Sequence, residues 1–470
     1  MAEGSATKPS RLIRTICLPV SEEEYQRLID QPAEWRRFLD VCHANMPELF
    51  PKGFEDGYEM KDSYWSKKIQ LRLRRIELRN GVAYTVRPSF VMPYLTGKVE
   101  DVEGPLFLRR FGVPYWGLAY VFGKDAMYWY RQEIALGRFS VVGTTIRRVA
   151  LPTNLLADEH HERCQGEKVY VATTVGGGCC LGAEVAEAAD TPALTEAYRV
   201  FQEEARDVEP DYSPQTVNTD GWKSTQAAWK ALFPMILTLL CYLHAWLKIR
   251  DRAKHLGQKF GELSRKVWHA YHALSPRGLR QRLKVLRTWA GRCLSGEVRT
   301  YTRQLCDKCN DWVRPYSHPG GHRTSNMLER VMRLMYRYFF RGQHFHGSRK
   351  ASTLRSRSWA LLHNFAPWHP ATAKANAGWR CPAERLNKHR YHDHWLENLL
   401  GLGIHTADEI RPELQQLAPG DKINLGPEGA PFFVVISTTP LAPLAPYMEV
   451  AEASFRISMD SMSLGLSVER

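Results

Sequence analysis

Phosphoryl transfer with two metal ions needs carboxylates that converge from distant parts of a chain. They hold two cations about 4 Å apart, which serve the attacking and the leaving oxygen. Asp158, Asp220 and Glu329 are spaced for this chemistry. Asp158 follows the short apolar run 154–157 and Asp220 follows the strand-like run 215–219; the two lie 62 residues apart. Glu329 comes 109 residues later, in a helical stretch that begins near Asn326. Glu159 adjoins Asp158 and is the alternative first acid, but Asp158 follows the strand directly. One acidic residue after a strand is most often a solvated turn or a helix cap. Three at such stations, next to a strongly basic segment, form a pattern.

The charge distribution fits a polyanionic substrate. The chain has 470 residues, a formal net charge of +14 and 44% hydrophobic residues, enough for several packed cores. Between residues 241 and 350 stand 24 Lys and Arg against 6 Asp and Glu, whereas residues 151–220 hold 4 basic and 14 acidic residues. Basic groups would bind phosphates with release of counterions, beside carboxylates that hold cations. The ten scattered cysteines suit free thiols in a reducing compartment. The first residues lack the apolar core of a secretory signal. The longest apolar run, 232–247, contains Pro234 and His244 and falls short of the roughly 20 residues that span a bilayer. A cytoplasmic, nucleoid-associated protein with no membrane partner is expected.

The elements that must position these acids can be read from periodicity. Residues 1–20 read as a flexible arm, and the capping pattern of Ser21 and Glu24 starts a helix to about residue 43. A hairpin turns at Asn80-Gly81, with Arg72 and Arg74 on its polar face, placed to follow a DNA backbone or simply to meet solvent. Three helical stretches between 105 and 137 allow a helix-turn-helix, with Lys124, Tyr128, Tyr130 and Arg131 toward a groove, or a plain packed bundle. From 154 the order becomes three strands, helix, strand, helix, strand, which resembles that of the RNase H-like fold. The triple glycine 176–178 is a hairpin turn. Residues 245–322 are helical and basic, helices follow at 326–341 and 352–364, and the tail contains one strand-like run, 432–437.

Specific motifs sharpen the resemblance. Asn218-Thr219-Asp220-Gly221-Trp222, then Phe233-Pro234, then Cys241-x-x-His244, and finally Thr324-Ser325-Asn326-Met327-Leu328-Glu329-Arg330 follow one another in this order. In these motifs the chain resembles the DDE transposases of bacterial insertion sequences and of the Mutator-like group, over roughly 145–400. The resemblance implies that Asp158, Asp220 and Glu329 bind two Mg²⁺ or Mn²⁺ ions. It also implies that Cys241 and His244 lie near the active site, where His244 contacts DNA or orients the second Asp. Asn326, Arg330, Arg333 and Arg337 recur along the helix of Glu329 and would face a DNA strand or solvent.

Cys306-x-x-Cys309, followed by His318 and His322, has partial zinc spacing. The eight-residue gap and the Pro-Gly-Gly between the histidines fit a zinc finger poorly, so two thiols in a helical insertion is the competing reading. The expected protein is α/β: an RNase H-like catalytic core, with a mixed five-stranded sheet and helices, interrupted by an all-α insertion and preceded by an α+β N-terminal DNA-binding region. Its boundaries are 1–145, 146–244, 245–322, 323–400 and a peripheral tail, 401–470. The expected activity is metal-dependent cleavage of transposon ends and strand transfer into target double-stranded DNA, by a homodimer that holds both ends. The alternatives are a catalytically inactive or domesticated DNA-binding protein and another RNase H-like nuclease.

Overall fold

The computed structural model describes residues 15–92 and 95–401. The chain opens on strand β1 (Thr15–Leu18), buried throughout, so the expected arm gives way to sheet from residue 15. Helix α1 (Glu22–Ile29) starts where the Ser21 side chain accepts the Glu24 N–H at 3.2 Å. A second helix, α2 (Pro32–Asn45), replaces the expected continuation. Proline suits a first turn, and its missing N–H cannot extend the helix before it. Strands β2 (Tyr58–Ser66), β3 (Leu71–Leu78) and β4 (Ala83–Pro88) complete a mixed sheet of order β1-β4-β3-β2. The Asn80-Gly81 turn joins β3 to β4 as expected. Strand β2 is mostly exposed, and so carries no apolar alternation from which it could be read.

Helices α3 (Val99–Arg109), α4 (Tyr115–Phe122), α5 (Ala126–Leu136) and α6 (Val141–Thr145) follow. Most of helix α5 is packed: Trp129, Tyr130, Gln132, Glu133 and Ile134 are buried, whereas Arg131 and, just before the helix, Lys124 are exposed. Its aromatic content seats it in the core: Tyr130, one of the four residues a groove would have met, is only 5% exposed, which fits the packed-bundle alternative. Arg109, buried between α3 and α5, pairs with Glu133 and donates to the Tyr338 hydroxyl at 3.0 Å.

The second sheet contains β5 (Asn154–Cys164), β6 (Glu167–Gly176), β7 (Cys179–Ala186), β8 (Thr216–Thr219) and β9 (Leu237–Leu240), in the order β7-β6-β5-β8-β9. The β5–β6–β7 meander is antiparallel, and β5, β8 and β9 run parallel. Gly177 and Gly178 turn the meander with φ +60° and +88°, the two left-handed residues that a tight hairpin of this hand requires. Strand β5 runs well past Asp158, because its later polar residues are themselves packed: the His160 ring stacks on Phe339 and Glu162 pairs with His344. Helices α7 (Thr191–Val208) and α8 (Lys223–Leu232) cover one face, where Tyr198, Phe201, Trp229 and Phe233 form an aromatic cluster.

After β9 come α9 (Tyr242–Ala253), α10 (Gln258–Tyr271), α11 (Pro276–Cys293), α12 (Gly296–Asp307) and α13 (Cys309–Val313), a basic helical unit with its own core of Leu263, Leu279, Leu283, Leu286 and Trp312. Helices α14 (Asn326–Arg341) and α15 (Arg349–Phe365) pack on the other face of the second sheet. Helix α15 is buried from Ala351 to Phe365. At Gly137 a Cβ would stand 2.0 Å from the Leu354 carbonyl oxygen, so only glycine allows this approach. Helices α16 (Pro370–Ala375) and α17 (Pro382–Asn387) follow. Buried side chains of the N-terminal sheet, α3, α5, α14 and α15 belong to one core cluster. Among the described residues no helix is long and apolar enough to cross a membrane. The tail from 402, with its strand-like run 432–437, lies outside the described residues.

Candidate metal centre

Strand alternation decides between the two adjacent acids. Asp158 and Glu159 point to opposite faces of β5. Glu159, 4% exposed, turns toward α7 and α8, where it accepts hydrogen bonds from the Tyr198 hydroxyl at 2.8 Å and the Thr225 hydroxyl at 2.9 Å. Burial pushes its carboxyl up despite these donors. Asp158 faces the other way, toward α9 and α14.

Two helix starts bring the remaining groups to it. Helix α9 begins directly after β9, anchored by the Cys241 N–H to the Thr219 carbonyl at 2.8 Å and the Tyr242 N–H to the Arg323 carbonyl at 3.0 Å. Helix α14 begins beside it. The Ser325 N–H donates to the Cys241 sulfur at 3.2 Å, the two side chains are 3.1 Å apart, and the Ser325 hydroxyl donates to Glu329 Oε1 at 3.2 Å. Cys241 and Ser325 therefore latch the two ends of the helical unit together and orient Glu329. His244 and Glu329 meet as a result, with Nε2 3.3 Å from Oε1. One ligand atom each from Asp158, His244 and Glu329 lies within 4.8 Å of the others.

The electrostatics are those of a site short of positive charge. Burial raises the Asp158 carboxyl and the Asp220 and Glu159 carboxylates raise it further, to about 7, against the pull of His244. Burial opposes a charge on His244, but the Cys241 sulfur and the Asp158 and Glu329 carboxylates outweigh it and hold the imidazole up at about 9. Burial would likewise raise the Cys241 thiol; His244 and Ser325 reverse this and leave it below its usual range.

Asp220 lies just past β8 and is felt by Asp158, yet it is not a member of the three-residue group. Its Oδ1 accepts the Trp222 N–H at 2.7 Å, closing the turn into α8. It lines a cleft with Cys241, Lys248, Tyr301, Gln304 and Lys308. Two carboxylates and an imidazole are a donor set that fits one divalent cation. Among the described residues this is the one group of three ligating side chains within 4.8 Å, and Asp220 stands outside it while still acting on Asp158.

The possible zinc set Cys306, Cys309, His318 and His322 does not gather within ligand distance among the described residues, as the two-thiol alternative has it. Cys306 is buried in the core of the helical unit, where desolvation raises its thiol to about 12. His322 instead lies against β8, its carbonyl accepting from the Asn218 amide at 2.8 Å. Asn326 and the expected arginines of α14 are exposed; Arg330, Arg333 and Arg337 make no ion pair among the described residues. In the N-terminal hairpin both arginines are engaged within the protein: Arg72 pairs with Asp30 at 2.6 Å and Arg74 donates to the Ile29 carbonyl at 2.6 Å.

Sequence reasoning gave no role to Ser325, although its place four residues before Glu329, one helical turn away, was a usable signal. Lys248 and Lys308 of the Asp220 cleft left no signal beyond the general basic charge. No protein-family model and no curated protein sequence matches the chain.

Proposed function

We propose that this protein is a DDE transposase with an RNase H-like core. The observation that carries this reading is the meeting of Asp158 and Glu329, with His244, at the middle strand of a sheet ordered β7-β6-β5-β8-β9, beside a basic helical unit. A water oxygen attacks a phosphodiester at a transposon end and the 3′ oxygen leaves as a hydroxyl. That hydroxyl then attacks a phosphodiester of target DNA, exchanging one ester bond for another. A bound Mg²⁺ or Mn²⁺ supplies neutralisation of the phosphate charge and an activated water.

The chain's own residues orient the reaction. Asp158 and Glu329 provide carboxylates from a rigid strand and a latched helix start. Asp220, on the adjacent strand end, adds negative charge beside Asp158. Arg330, Arg333 and Arg337, along the helix that carries Glu329, receive backbone phosphates. Two ends must be held for transfer, so the working form is a homodimer.

The direct test is incubation with Mg²⁺ or Mn²⁺ and duplexes carrying the DNA that flanks the gene. Nicks leaving 3′-hydroxyls that become joined to a second duplex are expected; cleavage confined to RNA–DNA hybrids would sink the transposase reading.

Duplex binding should also weaken steeply with salt. Each neutralised phosphate contributes about 0.9 to the slope of log affinity against log salt, so engagement of a third of the surplus between 241 and 350 gives a slope of roughly −5. A shallow slope measured by fluorescence anisotropy would mean that the basic helices are merely solvated.

A further inference from the structure

We propose that His244 is itself a ligand of the bound cation, making an Asp–His–Glu centre that prefers Mn²⁺ to Mg²⁺. This rests on the reading that the centre holds a divalent cation. The separation of the donors is the first argument. Neighbouring ligands, each about 2.1 Å from an octahedral ion, stand about 3 Å apart. His244 Nε2 and Glu329 Oε1 are 3.3 Å apart, with an oxygen of Asp158 inside the same 4.8 Å group. All three can share one ion after a small inward movement.

Delivery is the second argument. His244 stands in the first turn of α9, whose start is pinned to β8 and to Arg323 by backbone hydrogen bonds, so the imidazole is aimed by rigid elements. The acid that would otherwise fill this position, Asp220, has one oxygen committed to the Trp222 N–H and lies outside the group. The nitrogen has a chemical consequence. Mg²⁺ favours all-oxygen sites, whereas imidazole binds first-row transition cations more strongly.

The competing role for His244 is that of a counter-ion, an imidazolium that neutralises Glu329 and Asp158 and makes way for the metal. The test uses the full chain, Mn²⁺ and Mg²⁺ as probes, and pulsed electron paramagnetic resonance of bound Mn²⁺ after ¹⁵N-histidine labelling. A directly bound histidine nitrogen is expected in the wild type and lost in His244→Gln. In calorimetry that variant should lose Mn²⁺ affinity by at least about tenfold and Mg²⁺ affinity by much less. His244→Asp should still bind, with the preference shifted toward Mg²⁺; it keeps the proposal falsifiable where His244→Gln fails to fold. Mn²⁺ binding that Asp158→Asn removes, but with no histidine coupling and an unchanged Mn²⁺/Mg²⁺ ratio in the His244 variants, would leave the metal centre standing and overturn the ligand role. Absence of stoichiometric binding of either cation in the wild type would overturn the metal centre and this proposal together.

Discussion

Asp158→Asn is expected to lower strand cleavage by at least about 10³-fold while leaving affinity for duplex DNA nearly unchanged. The substitution keeps the shape of the side chain and removes an anionic ligand from the middle of β5. It barely alters the basic surface, which carries 24 Lys and Arg between residues 241 and 350. It should also make the metal-free protein more stable. Burial, with Asp220 and Glu159 close by, raises the Asp158 carboxyl to about 7 in the folded chain, from 3.8 when unperturbed. A folded value above the unfolded one means that the native state holds the proton more tightly. This stabilising contribution is complete below about pH 4 and is lost as pH rises through 7. Asparagine has no proton to lose, so at pH 8 the variant should exceed the wild type by about 1 kcal/mol or more. Paired nicking and anisotropy measurements, with urea titrations at pH 5 and 8, check both parts. Equal loss of binding and cleavage would make Asp158 a structural residue, and a variant less stable at pH 8 would contradict the crowding of negative charge at the centre.

Arg357→Ala should cost about 3–5 kcal/mol of folding stability. The guanidinium is 1% exposed and joins four elements. It donates to the Gly137 carbonyl at 2.9 Å, the Phe139 carbonyl at 2.7 Å, Glu184 at 3.3 Å and Glu204 at 2.5 Å. Glu204 is also 1% exposed; its other oxygen accepts the Val142 N–H at 3.1 Å. Truncation strands this carboxylate and two carbonyls, and an unpaired buried charge costs far more than the intact pair contributes. Combining Arg357→Met with Glu204→Gln removes both charges and should recover part of the loss in a urea titration. A single variant within about 0.5 kcal/mol of wild type would mean that water reaches the pair.

What the sequence determined follows from short-range physics. The period of apolar residues marked α14 at 326–341, because one face of that helix must be buried. The glycine pair needed for left-handed backbone marked the β6–β7 turn, and the strand-then-acid pattern marked Asp158 and the strand ahead of Asp220. The same rules missed β2, an edge strand with little to bury, and cut β5 short, because its polar residues find partners on α14 and the loop after it, about 180 residues away. They left α5 open between a groove reader and a packed helix, and its buried aromatics show that it packs.

Which of these residues stand within one ligand sphere was a matter for tertiary structure. Spacing along the chain selected Asp158, Asp220 and Glu329. The choice of Asp158 over Glu159 depended on which face of β5 meets α14. The entry of His244 beside Glu329, and the separation of Asp220 from them, depended on how α9 and α14 start side by side through Cys241 and Ser325. A ligand sphere is set by distances of a few ångströms between atoms far apart in sequence, and such distances exist only once the helices have packed.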